Sequence, residues 1–218
     1  MVDRPAAHDA TDRLRHAFRR YRKPRQMAGC PCCTSETMTR RLIDPNRESV
    51  DDDTLDHYAH QALLTWGTVA DFKYFLPEIF ERTARGQLGP LSDFEAVLGN
   101  LSKFGGFDDW PEPERAAVRQ WLSAQFLAVP EAVKSLPDDW PRRERLNWAN
   151  ALLAGGDPLL GDVTPLLNAA DEAYPHFRLL YAIQHSNQTK HKLDGWWDKE
   201  SENYRRMLDW LYPGGAVC

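Results

Sequence analysis

Three of the chain's four cysteines crowd into Cys30-Pro31-Cys32-Cys33. Cys30 and Cys33 have the C-x-x-C spacing that brings two thiolates onto one tetrahedral metal ion, and Cys32 can stand in for either. A structural zinc site needs two more ligands. His57 and His60 lie downstream at i, i+3, which places both rings on one face of a predicted helix. A two-cysteine, two-histidine zinc site tying the knuckle to that helix is one reading; cysteines that shape a turn without any metal are the commoner one. Its spacing matches no standard finger. His60 also falls near the apolar stripe of its helix, where a hydrogen-bonded core histidine is the commoner arrangement. Cysteines this close make a poor disulfide framework, which fits a reducing, cytoplasmic setting.

Other chemistry is thinly represented. The same C-x-x-C would serve as a redox pair at a helix start. Thioredoxin-like proteins place it after a β-strand, and no strand is predicted here. G-x-S-x-G, H-E-x-x-H, the P-loop and G-x-G-x-x-G are all missing from the sequence. Asp51-Asp52-Asp53, Asp108-Asp109 and Asp138-Asp139 each precede a predicted helix, so capping explains them better than paired acid–base work. Gly105-Gly106 and Gly155-Gly156 follow helices and read as helix ends. His185, Asn187, Gln188, Lys190 and His191 read as a solvated connection. Cys218 ends the sequence after a Gly-Gly turn and does not fit a prenylation box.

The elements that must position these residues are predicted to be helical. Leu14, Phe18 and Tyr21 share one face of a helix over 10–22, capped by Asp9 or Thr11, with arginines on the other face. Ser35 opens a helix to about Ile43. The Asp51–Asp53 acids open another that carries Leu55, Tyr58, Ala62, Leu63 and Trp66 and stops at Gly67. Thr68 caps the next, which Pro77 should kink or break. Further helices are expected at about 92–104, from Ser92, and at 111–128, 141–154 and 196–211, with Pro165 and Pro175 each in a first turn. Asp108-Asp109-Trp110-Pro111 recurs 30 residues on as Asp138-Asp139-Trp140-Pro141. In both copies Asp should cap, Pro open the helix and Trp pack back. That echo favours an all-α, irregular stack of helical hairpins (α-solenoid-like) over a closed helix bundle.

At 218 residues, with 42% apolar and 27% charged residues, the chain reads as one folded domain. Residues 1–25 form a basic N-terminal arm or helix and 26–218 a single all-α domain. The arm holds eight basic and three acidic residues, an excess of five, against a net charge of −5 for the whole. An acidic body argues against nucleic acid as the main ligand. The arm itself can meet an anionic ligand or nucleic acid, or lie on its own body. No apolar run is long enough for a membrane span, and no apolar stretch follows the N-terminal charges, so neither a membrane helix nor a secretory signal is expected.

Residues 30–81 resemble an uncharacterised family of bacterial helical proteins. The resemblance rests on the C-P-C-C knuckle, Glu36, Tyr58-Ala59, Ala62-Leu63, Thr65-Trp66-Gly67, Asp71-Phe72 and Phe75-Leu76-Pro77, together with the Trp-Pro-x-x-Glu-Arg element at 110–115. The family motif is C-P-x-C, so Cys30 and Cys33 match and Cys32 falls at its variable place. His57 and His60 are not part of it. The resemblance implies a bacterial helical protein and supplies no activity. The sequence leans to a non-enzymatic protein-binding domain, of the immunity or adaptor type, whose acidic surface would meet a basic protein partner. The alternative is a zinc-dependent enzyme or zinc-stabilised protein centred on the knuckle.

Overall fold

The computed structural model describes residues 4–46, 50–187, 190–195 and 197–214; Gln188 and Cys218 lie outside them. The expected all-α class is observed. Helices run over Arg4–Phe18 (α1), Glu36–Ile43 (α2), Asp52–Gln61 (α3), Val69–Ala84 (α4), Phe94–Phe104 (α5), Glu112–Leu127 (α6), Val129–Ser135 (α7), Trp140–Asn150 (α8), Asp157–Leu160 (α9), Thr164–Ala173 (α10), Phe177–His185 (α11) and Glu202–Leu211 (α12). A π-helical turn, Ala151–Gly155, extends α8. The connection after α11 contains a short antiparallel ribbon, Ser186–Asn187 (β1) with Lys192–Leu193 (β2); His185, expected in a solvated connection, is instead buried at the end of α11.

Several helix starts follow from local chemistry. Ser35 Oγ accepts from Met38 N, and Asp51 Oδ1 accepts from Thr54 N at 3.0 Å. Thr68 and Asp71 form a reciprocal capping box at the head of α4. That helix continues through Pro77. The expected cap, at Asp9 or Thr11, is not found, since both residues lie inside α1. α1 begins earlier, so Thr11 lies inside it, donating to Ala7 O at 3.0 Å and accepting from Trp121 Nε1 at 3.2 Å. α3 also stops short of Gly67, at Gln61, because the backbone of 65–67 pairs with the knuckle segment instead of continuing the helix.

The helices close on one another around α6, which packs against α1, α7, α9 and α10. The Trp121–Thr11 hydrogen bond joins positions 110 residues apart. A linear solenoid, in which each repeat touches only its neighbours, does not make such a contact. Phe80, Phe94, Trp121 and Trp148 stack edge to face or tilted at the centre, with ring centroids 4.7–6.3 Å apart. Ala10, Leu14 and Phe18 of α1 belong to this same core.

The Asp-Asp-Trp-Pro echo is not structural. Trp110 is buried, donating Nε1–H to Gly105 O at 2.8 Å, whereas Trp140 is 68% exposed. The reason is register. Helix α6 starts after Pro111, but α8 starts at Trp140 itself, so the two indoles leave the backbone in different directions. Neither helix takes a side-chain cap from its aspartates.

Candidate metal centre

The knuckle is held by main-chain bonds to the turn after α3. Gly29 and Trp66 form an antiparallel bridge; Cys30 N donates to Thr65 O at 2.8 Å and Gly67 N to Ala28 O at 2.7 Å. Two amides, Cys33 N at 3.0 Å and Thr34 N at 2.9 Å, then donate back to Cys30 O, closing a tight turn. Thr34 Oγ1 adds a third donor to that carbonyl at 2.8 Å. A Cβ on Gly29 would stand 2.5 Å from this same hydroxyl oxygen, so the turn needs glycine there. In the turn that leads from α3 to Trp66, Leu63 takes φ 68°, a left-handed conformation that costs a non-glycine residue on the order of 1–3 kcal/mol.

The turn brings the three sulfur atoms of Cys30, Cys32 and Cys33 within 4.8 Å of one another. Cys30 Sγ lies 2.9 Å from Cys32 Sγ, which lies 3.5 Å from Cys33 Sγ. Cys30 is half-buried and the other two are exposed. Hydrogen bonds from the Cys32 thiol and amide, and then from Cys33, favour the Cys30 thiolate and lower it to about 7. The same proximity opposes a further charge at Cys33, which the neighbouring thiols push up to about 11. A first negative charge is therefore favoured at Cys30 and a second opposed at Cys33, an opposition that a bound cation would relieve. Zinc–sulfur bonds of about 2.3 Å set tetrahedral sulfur–sulfur edges of roughly 3.8 Å. The sulfurs need only spread slightly to meet that geometry, so the cluster can hold a metal.

Neither histidine joins the set of ligand atoms. His57 sets its ring edge to face against Trp66, with centroids 5.8 Å apart. His60 Nδ1 is within 2.9 Å of Asp56 O in its own helix, and Asn100 Nδ2 donates to the His60 carbonyl at 3.2 Å. The third sulfur of the gathered set is that of Cys32.

A second charged cluster escaped the sequence reading. Glu114 is 2% exposed and Lys73 6%, and they meet at 2.8 Å. Tyr21 OH donates to the other Glu114 oxygen at 2.9 Å, where Arg20 also pairs, and Lys73 Nζ sits 3.9 Å from the centre of the Trp110 ring. Arg15 pairs with Glu81, and Lys23 Nζ donates to Asp44 O at 2.6 Å. Charges of the basic segment are therefore directed onto its own body. Sequence spacing gives no signal for a pair 41 residues apart.

Compared with family models, curated proteins and solved structures, the chain matches none. The resemblance of residues 30–81 gains no support from them. No helix among the described residues is long and apolar enough to cross a membrane.

Proposed function

We propose that this is a zinc-binding helical protein, with Cys30, Cys32 and Cys33 as thiolate ligands and a fourth position open to water or to a partner's side chain. The observation that carries the reading is the convergence of the three sulfurs within 4.8 Å on an exposed turn. Soft thiolates select zinc or copper(I) over hard oxygen-seeking ions. The site requires reduced thiols, as a cytoplasmic location would maintain.

The test is metal content of the reduced protein purified without chelator or affinity metal, followed by cobalt(II) substitution. About one zinc per chain, thiolate-to-cobalt charge-transfer absorption and loss of both in Cys30→Ser and Cys33→Ser support the assignment. Metal-free protein that gives no such absorption on titration with cobalt(II) rejects it. Metal that survives His57→Ala and His60→Ala separates this ligand set from a two-cysteine, two-histidine site.

A second reading, a protein-binding domain, is favoured by Leu179 and Ile183. They lie one turn apart on α11 and are 57% and 62% exposed. Aspartate at both positions should abolish capture of a specific partner while leaving the thermal midpoint unchanged. Unaltered capture sinks this reading.

A further inference from the structure

Between the end of α1 and the middle of α4 lies a cavity of about 500 Å3, within the size range of small-ligand sites. Its wall carries four cations, Arg15, Arg19, Arg22 and Lys23, and no carboxylate. The whole chain has a net charge of −5, so this concentration runs against its overall balance. The α4 carboxylates Glu78 and Glu81 stand outside the wall and are already paired, the first with Arg82 and the second with Arg15 and Arg85. Arg19 and Arg22 are exposed and meet no carboxylate among the described residues. The C-terminus of α1, at Phe18, carries only about half a negative charge and does not account for four positive ones.

The basic segment is held in place at several points. Phe18 and Pro24 are buried on either side of it. Tyr21 N donates to Phe18 O at 3.1 Å, and Tyr21 OH reaches the buried Glu114 at 2.9 Å. Lys23 Nζ donates to Asp44 O at 2.6 Å, and Arg15 is held by Glu81 and by Asp12 at 3.8 Å. Arg20 pairs with Glu114, whereas Arg19 and Arg22 line the cavity. The backbone that carries these two unpaired guanidinium groups is thus ordered before any ligand arrives, which lowers the cost of binding. From α4, the half-buried Tyr74 adds a hydroxyl with no hydrogen-bond partner among the described residues.

A guanidinium group offers parallel N–H donors that match two phosphate oxygens, and it stays charged throughout the physiological pH range. Two uncommitted guanidinium groups, with Arg15 and Lys23 beside them, suit a ligand with several phosphate groups better than a single carboxylate. The Tyr21 ring already has Arg20 at 5.1 Å and Lys73 at 5.4 Å from its centroid, so recognition here rests on charge and not on stacking. We infer that this cavity binds an anion carrying two or more phosphate groups, with Arg19 and Arg22 as its principal contacts. A free polyphosphate and the backbone of a single nucleic-acid strand share this chemistry. The site is independent of the metal centre.

Calorimetric titration of the intact reduced protein in about 0.15 M salt, which screens exposed charges more than about 8 Å apart, tests the proposal. The probes are tripolyphosphate, citrate and a short oligothymidylate. Tripolyphosphate should bind, and citrate, an anion without phosphate, should bind more weakly. Arg19→Gln and Arg22→Gln should each weaken tripolyphosphate about tenfold, the effect of one lost charge-assisted hydrogen bond. Both side chains are exposed, so these substitutions spare the fold. Arg13→Gln removes the same charge from an exposed position of α1 outside the cavity wall and should leave binding unchanged. Cys30→Ser should also leave it unchanged, which excludes heat from zinc drawn off by the polyphosphate. Tighter binding of the oligothymidylate than of tripolyphosphate supports the same chemistry and places its source in a nucleic-acid strand; the reverse order places it in a free polyphosphate. Citrate binding as tight as tripolyphosphate, an equal loss in Arg13→Gln, loss in Cys30→Ser, or no tripolyphosphate binding at millimolar concentration overturns the inference.

Discussion

Replacing Glu114 with glutamine removes one charge from a site where Lys73, Tyr21 and Arg20 all converge. Glutamine keeps the shape and can still accept from Tyr21. What it cannot do is neutralise the Lys73 ammonium, which is 6% exposed and has no other acidic partner among the described residues. Breaking a buried ion pair on one side costs about 3–5 kcal/mol, since the surviving charge stays desolvated. The contact of Lys73 with the Trp110 ring offsets only about 0.5–2 kcal/mol of that. Arg20 is 57% exposed and adds little, because water already screens it. The net loss is then about 1–4.5 kcal/mol, and at about 2–4 °C per kcal/mol for a domain of this size the midpoint should fall by roughly 2–18 °C. Urea unfolding followed by circular dichroism gives the free energy, and hydrogen exchange should show α1 and the 19–23 segment losing protection first. The double variant Lys73→Met, Glu114→Leu should recover most of the loss. A Glu114→Gln loss below about 1 kcal/mol, or a double variant as unstable as the two single losses combined, would refute the account of a buried pair whose partners depend on each other.

His185 is 7% exposed and its Nε2 has no partner; burial lowers it to about 4, against 6.5 in the unfolded chain. The unfolded state therefore takes up the proton first on acidification. The contribution is complete above about pH 6.5 and is lost as pH falls towards 4, by about 3 kcal/mol in all. His185→Gln should flatten this part of the stability–pH curve relative to the parent, and identical slopes between pH 6.5 and 4 would exclude it. Gly155→Ala places a Cβ 2.8 Å from Glu95 O and 2.9 Å from Glu95 Cα, both backbone atoms that cannot turn aside. A loss of about 1–3 kcal/mol in urea unfolding is expected, and none would mean that α5 and the π-helical turn are not in fixed contact.

The sequence revealed what is local. Ser35, Asp51 and the Thr68–Asp71 box cap helices because their bonds close within three residues. The C-P-C-C knuckle was legible for the same reason. The histidines were not, because i, i+3 spacing says that two rings share a face but not which neighbour that face meets. His57 turns to Trp66 and His60 to its own helix. Apolar periodicity from Leu55 to Trp66 suggested an unbroken helix. Hydrophobic spacing does not show that the backbone of 65–67 is needed by residues 28–30. Nothing in the local spacing links Lys73 to Glu114, 41 residues away, because only the packing of α4 against the rest of the fold brings them together.

These long-range features place the knuckle and the buried ion pair on one structural path. Residues 28–30 pair with 65–67, the capping box at Thr68 begins α4 immediately afterwards, and Lys73 lies in the next turn of that helix. A metal that fixes the three sulfurs restrains this path at one end, while Glu114 restrains it at the other and draws in Arg20 and Tyr21. Binding to the folded state alone stabilises it by RT ln(1 + [L]/Kd), about 2.7 kcal/mol at a hundredfold excess over Kd. If the knuckle and α4 open together, that stabilisation reaches the N-terminal segment although no ligand touches it, and hydrogen exchange at α1 should slow when zinc is added. If they open separately, protection will rise at 28–34 and 62–67 alone, and the ion pair will prove a local clamp independent of the metal.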